Sequence, residues 1–342
     1  MTPPRAEELL RTAKGCRVLL VGDLMMDEWV FGAVQRISPE APIPVVKMPL
    51  RADARADKPG GAGNVAAILL SLGAAVRVVG VVGEDELGAR LKTDLARRGA
   101  EISGVLTDSS RPTTHKLRIL AGRQQLLRVD TESTAPVGGA LADRLCDLLR
   151  SGLDEADVVL VADYAKGVLT PASLPSDLIA SARAAGIPLC ADPKPANMDL
   201  LRGAWLISPN EMEALEAAGM TNGPSASLPP CSPPRSVVHA GQTLLSRLEA
   251  EAVFITRGEH GIAVFCRDGT VTEAPTTVEP GSVGDSTGCG DAASAASALA
   301  LAAGATFLEA AELANAAGGV VSRFVGVHDP KPAEVVEWVR GR

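Results

Sequence analysis

Apolar residues in this chain recur with two different periods, and segments of the two kinds alternate. Short runs rich in Val, Leu and Ile, bounded by Gly, Pro or Asp, predict strands at residues 17–22, 76–82, 158–162, 188–192, 205–208, 252–256 and 261–265. Apolar positions spaced three and four apart predict helices at 64–72, 87–98, 176–185, 211–218, 240–249 and 311–320, and a long Ala-rich helix opens near Gly290. Gly73 and Gly99 close the first two helices. Repeated strand–helix alternation predicts an α/β fold with a parallel sheet covered on both faces. In such sheets ligands bind at the carboxyl ends of the strands, where loops meet helix N-termini.

Two segments break the pattern. Residues 30–55 carry four prolines among alternating apolar positions, and residues 105–129 alternate likewise. Both read as antiparallel β inserted between βα units, so a small β flap is expected, built from about 30–57 and 105–131, on a single domain spanning 1–342. Residues 221–238 are rich in Pro and Ser and read as a surface loop.

Composition narrows the function classes. The chain of 342 residues is 46% hydrophobic, enough to bury a full core and to exclude bulk disorder. Aromatic residues are only 3% and the net charge is -8, which together argue against a nucleic-acid partner. An anionic substrate would then need a local basic or amide-lined pocket. The first 15 residues carry Arg5, Glu7, Glu8, Arg11 and Lys14 and no apolar centre, unlike a signal peptide. The longest apolar run, 292–303, is too short for a membrane span and reads as a buried helix. Six scattered cysteines without C-x-x-C predict neither a disulfide framework nor a zinc site, and a cytoplasmic location with no membrane partner is expected.

The chemistry concentrates in Gly284-Asp285-Ser286-Thr287-Gly288-Cys289-Gly290-Asp291, just before the Ala-rich helix. Glycines let backbone N–H groups converge, and a helix N-terminus adds free donors and a positive dipole end. Together they can hold a phosphoryl group and the charge that develops as it is transferred. Asp291, in the first helical turn, could accept a proton from an attacking hydroxyl; the simpler alternative is that it only caps the helix. The run is not a Walker A loop, and Gly288-Cys289-Gly290 is an incomplete dinucleotide fingerprint placed late in the chain.

This run resembles the second signature of the ribokinase-like (PfkB-type) carbohydrate kinases, D-T-x-G-A-G-D, with Cys289 where Ala is usual. Gly60-Gly61-Ala62-Gly63-Asn64-Val65-Ala66 resembles their first signature, G-G-x-x-x-N-x-A, in the expected order. The resemblance implies a three-layer α/β/α sandwich with a β lid. It makes Asp291 the catalytic base and the amides of Gly288, Cys289 and Gly290 the anion hole. Asn210 and Glu213 match the N-x-x-E motif that organises Mg²⁺ and its waters, although an ordinary helix cap would look the same. Thr256, Gly258 and Gly261 match a strand–loop that lies along ATP, with Asp285 and Asn315 also on the nucleotide side. Asp23 at the end of the first strand and Asp27 four residues later, together with Gly61 and Asn64, would face the sugar.

Further segments resemble the kinases of D-glycero-D-manno-heptose 7-phosphate: Arg36-Ile37-Ser38-Pro39-Glu40-Ala41-Pro42-Ile43-Pro44-Val45, residues 124–130, Asp163-Tyr164-Ala165-Lys166-Gly167 and Asp192-Pro193-Lys194. A sugar already carrying a phosphate needs cations at its far end, and Arg36, Lys116, Arg128, Lys166 and Lys194 are the candidates, with Asp163 on the sugar side. The implied reaction moves the ATP γ-phosphate to O1, giving the 1,7-bisphosphate, with Mg²⁺ and a monovalent cation such as K⁺ as cofactors. The resemblance further implies a homodimer joined through the lids. It implies a stand-alone kinase, since no H-x-G-H of a fused nucleotidyltransferase is present. His115 stands where a small or polar residue is expected. The competing readings are a kinase of another sugar or sugar phosphate, a non-catalytic sugar-phosphate sensor, and an NAD-dependent dehydrogenase.

Overall fold

The computed structural model describes residues 1–49, 54–122, 124–175, 177–220, 233–276, 286–324 and 326–341. Its strands, in chain order, are β1 (Arg17–Gly22), β2 (Leu24–Ile37), β3 (Pro44–Lys47), β4 (Arg55–Gly61), β5 (Ala75–Gly83), β6 (Glu101–Asp108), β7 (Thr114–Ala121), β8 (Gln124–Thr131), β9 (Val158–Ala162), β10 (Leu189–Asp192), β11 (Leu206–Ile207), β12 (Ala252–Thr256), β13 (Ile262–Cys266) and β14 (Val271–Ala274). Nine of them form one sheet in the order β14-β13-β12-β11-β10-β9-β1-β5-β6. Neighbours from β12 to β6 run parallel, and β12, β13 and β14 form an antiparallel edge.

Strand residues point alternately to opposite faces, and each face has its own core. Val18, Leu20, Val158 and Leu160 join the packing of α1 (Pro3–Thr12), α2 (Ala62–Ser71), α3 (Glu86–Arg97), α8 (Cys289–Ala302), α9 (Phe307–Val321) and α10 (Pro332–Arg340). Leu19, Val21, Val159 and Val161 join that of α4 (Gly139–Leu153), α5 (Leu178–Ala184), α6 (Glu211–Ala217) and α7 (Arg235–Leu248). Because every central strand is buried on both sides, its sequence reads as an unbroken apolar run. No described helix is long and apolar enough to cross a membrane.

The second sheet has the order β3-β2-β7-β8, with β4 also paired to β2. Strand β2 spans 14 residues, buried at its start and exposed at its far end, so it carries the lid out from the main body. Two boundaries differ from the expectation. Residues 105–108 belong to β6, which extends the main sheet beside β5, so the second insertion enters the lid only at Thr114. The loop expected to run to residue 238 stops earlier, because α7 begins at Arg235 directly after Pro233 and Pro234. Its residues 221–232 lie outside the described set.

Candidate active site

The two glycine-rich motifs meet at the carboxyl end of the sheet. At the turn from β4 into α2, Gly61 takes φ 55, and a Cβ there would come 2.6 Å from the carbonyl oxygen of Asp23. The tight turn sets Asn64 in the first turns of α2, 1% exposed. From the other side, Gly288 takes φ 81 at the N-cap of α8 and packs against the Asn64 amide. Asp291 then lies in the first turn of α8, where its Oδ2 accepts a hydrogen bond from Asn64 Nδ2 and its Oδ1 one from the Tyr164 hydroxyl. Burial pushes the Asp291 carboxyl above the ordinary carboxylate range, and the Tyr164 and Asn64 donors pull it back. Asn64 Oδ1 is buried with no hydrogen-bond partner among the described residues. An orphaned acceptor beside a carboxylate suits a ligand that brings its own hydroxyl donors.

A cavity of about 580 Å³ opens on the other side of the α8 N-terminus. Asn210, Thr256, Gly258, Gly261, Cys289, Gly290 and Asn315 line it, so seven residues expected on the nucleotide side or in the anion hole share one wall. Asn315 acts from within that wall, since its Nδ2 donates to the Ala274 carbonyl at 2.7 Å and fastens α9 to β14. Asp285 lies outside the described residues.

Asn210 and Glu213 form a complete capping box on α6: Glu213 N donates to Asn210 Oδ1 at 2.9 Å and Asn210 N to Glu213 Oε2 at 3.0 Å. The capping alternative is therefore realised. The same carboxylate also accepts from Lys194 Nζ, and its charge, after burial, helps push Asp192 up to about 7. No group of three or more His, Cys, Asp and Glu that could cage a metal occurs among the described residues. Asn210 and Glu213, with Asp192 near enough to feel the Glu213 charge, fit Mg²⁺ held largely through waters and substrate phosphates, not a cation held by protein alone.

On the sugar side two of the expected ligands are largely occupied by the surrounding backbone. The Asp23 carboxylate, 1% exposed, accepts the backbone N–H groups of Tyr164, Lys166 and Val168 at 2.8, 3.1 and 3.1 Å. It shapes the loop after β9 and has little left for a sugar. Asp163 is used in the same way, by the N–H groups of Ala165 and Lys194 and the amide of Asn197. Asp27 lies further along, on β2. It is 6% exposed, its charge raises Asp291, and it is paired with Arg118 Nη1 at 2.5 Å.

The five expected phosphate cations separate. Lys116 and Lys166 converge on Glu132 at 3.5 and 2.7 Å, one from lid strand β7 and one from the β9 loop. Lys116 and Arg128 share Asp130. Lys194 turns to Glu213 and so belongs to the nucleotide corner. Arg36 is not brought to the site, because it stands nine residues beyond Asp27 on β2, roughly 30 Å along an extended strand. His115 pairs with Glu28 at 3.0 Å, which in turn holds Arg55, so this unexpected residue serves the lid's own structure.

Four residues of the site were given no role from the sequence, although the first two stand in quoted segments: Tyr164, Asp192, Arg118 and Glu132. Arg118 had a signal, since it lies two positions after Lys116 on a strand and so shares its face. It also stacks 5.0 Å over the Trp29 ring.

A buried carboxylate at a helix N-terminus, between a nucleotide-sized cavity and a buried polar corner, is an arrangement suited to phosphoryl transfer. Residues 23–334 match the model of the pfkB family carbohydrate kinases, and the chain belongs to that family. It is 41% identical over 336 residues to the Bifunctional protein HldE of Geobacter metallireducens, covering 98% of this chain and 65% of that protein. It is 39% identical over 331 residues to HldE of Bradyrhizobium diazoefficiens, covering 96% and 64%. The chain thus spans just under two thirds of the curated relatives it matches. Among solved structures, Arabidopsis thaliana ribokinase complexed with ribose and ATP superposes with TM-score 0.71 at 21% identity, covering 95% of this chain and 99% of that one. Phosphofructokinase-2 from Escherichia coli gives 0.73 at 18%, covering 95% and 99%. The fold is the ribokinase-like α/β/α sandwich with a β lid.

Proposed function

We propose that the chain is an ATP-dependent kinase of D-glycero-D-manno-heptose 7-phosphate that phosphorylates O1 and yields the 1,7-bisphosphate. The observation that carries the phosphoryl-transfer part is the place of Asp291, at the α8 N-terminus and within hydrogen-bond reach of Asn64. The acceptor hydroxyl gives its proton to the Asp291 carboxylate as its oxygen bonds to the γ-phosphorus and the bond to ADP breaks. The N–H groups of Gly288 and Gly290 would face the charge on the transferring group, while that of Cys289, expected in the same anion hole, donates to the Ser286 carbonyl at 3.2 Å. Asn64 Oδ1 and Asp27 accept hydroxyls of the sugar and turn it towards Asp291. Asn210, Glu213 and Asp192 would hold Mg²⁺ through its water shell, where it would neutralise phosphate charge.

The heptose reading is supported by the HldE relatives and by the subgroup segments; Lys166 of one segment and Lys116 of β7 offer a cationic seat for the distal phosphate. Activation by K⁺, a cytoplasmic location and a lid-to-lid homodimer belong to the same proposal. Ile37, Ile43 and Leu127 leave apolar lid surface 60, 57 and 54% exposed, as a dimer contact would require. The product decides the reaction: ³¹P NMR of a turnover mixture should show a new anomeric phosphate coupled to H1 beside the unchanged 7-phosphate. A new phosphate at any other carbon would refute transfer to O1.

A further inference from the structure

Tyr164 is the only tyrosine in the chain. Its backbone N–H is fixed by Asp23, and the next residue, Ala165, takes the left-handed φ of 55. A non-glycine residue in that region is held there by its surroundings, and such strain gathers at functional turns. The turn presents the Tyr164 ring to α8. Its hydroxyl donates to Asp291 Oδ1, and Lys194 Nζ, bound to Glu213, lies 5.7 Å from the ring centroid. One side chain therefore bridges the carboxylate and the cation corner.

We propose that Tyr164 is the positioning residue of the base, its hydroxyl turning Asp291 and holding it ionised until the acceptor arrives. This rests on the reading of Asp291 as the base. A carboxylate offers about four lone-pair directions, and Tyr164 and Asn64 take one each, so room remains for the acceptor hydroxyl. The substrate proton ends on Asp291, and Tyr164 keeps its own throughout. Burial beside Asp291, Asp192 and Asp27 holds the phenol well above its ordinary range, so it stays a donor at any working pH. The charged groups facing Asp291 are Asp27 from β2, Asp192 from the end of β10 and Lys194 just beyond it. The carboxylates oppose its ionisation and Lys194 favours it, and Tyr164 adds a direct donor.

Tyr164→Phe keeps the ring against Lys194 and removes only that donor. Its kcat/KM profile should show the acid limb moved up by about one pH unit, with the plateau reduced about tenfold and the KM for ATP unchanged. An acid limb at the wild-type position overturns the role, whatever the rate. A second measurement needs neither turnover nor the variant. Biosynthetic 3-fluorotyrosine places a single ¹⁹F resonance at position 164, which should titrate at acid pH in the free enzyme and lose that titration in Asp291→Asn. The same titration in Asp291→Asn would assign it to Asp27 or Asp192 and overturn the contact. A fully active Asp291→Asn would sink the base itself, an outcome distinct from an inactive Asp291→Asn with an unmoved Tyr164→Phe.

Discussion

Asn64 Nδ2 lies 2.5 Å from Asp291 Oδ2, a hydrogen bond that joins the two glycine motifs across 227 residues of sequence. The amide gives its donor to Asp291 and keeps its oxygen, buried and unpartnered, for the ligand. Asn64→Ala removes both. It should lower kcat/KM for the acceptor by about ten- to a hundredfold, the worth of a hydrogen bond to a charged group, and leave the KM for ATP within a factor of about two. Initial rates with each substrate varied in turn check this. A selective rise in the KM for ATP would put Asn64 on the wrong side of the site.

Gly290 separates folding from chemistry. It lies inside α8, and a Cβ built on it meets nothing within 4 Å, yet it lines the nucleotide cavity. Gly290→Ala should fold with an equal or higher Tm, since Ala is favoured over Gly in a helix by about 0.5–1 kcal/mol. Its kcat should still fall at least about tenfold, because the methyl enters the space of the transferring phosphoryl group. Calorimetry paired with steady-state rates tests this, and wild-type turnover would remove the α8 N-terminus from the chemistry.

Glu213 closes a capping box and holds Lys194 at once. Glu213→Gln can keep the cap, because Gln serves that position as well. Only the charge is lost. Its Tm should stay close to wild type while the Mg²⁺ concentration for half-maximal rate rises several-fold and the acceptor KM holds. An Mg²⁺ titration of the rate is the check, and an unchanged midpoint would leave the motif a helix cap alone.

Asp192 predicts a pH signature in the free protein. Burial, reinforced by the Glu213 charge, pushes its carboxyl up to about 7, against 3.8 for an ordinary aspartate. The folded chain therefore holds a proton that the unfolded chain releases between about pH 4 and 7. Its contribution to stability falls as pH rises through that window and is level above it. Asp192→Asn, which can still accept from Ser294, should gain Tm relative to wild type from pH 4 to 7. Parallel profiles of the two proteins would contradict the shift.

Much of this site was legible because its chemistry is carried by local motifs. The glycine runs around Asn64 and Asp291, and the i, i+3 pair Asn210 and Glu213, each need only one turn of chain to be recognised. What was not legible depends on distant backbone. Asp23 reads as a free carboxylate at a strand end, and only the β9 loop, some 140 residues on, shows that it also accepts three N–H groups. Arg36 looked close because the proline cluster hid the length of β2, which carries it outward along the lid. Residues 105–108 read as lid because an edge strand of the main sheet alternates just as a lid strand does. Tyr164 stood in the Asp163–Gly167 segment without a role, and a single aromatic in a loop shows its partner only once α8 is folded against it.

The central claim joins one acceptor to one base, and ADP release tests both together. Wild type and Asp291→Asn would be assayed with Mg²⁺-ATP over heptose 7-phosphate, fructose, ribose and fructose 1-phosphate. The account predicts the highest kcat/KM on the heptose 7-phosphate and a loss of about 10²- to 10⁴-fold in Asp291→Asn. Preference for a hexose or pentose with the same loss would contradict the substrate, and turnover that survives in Asp291→Asn would contradict the base.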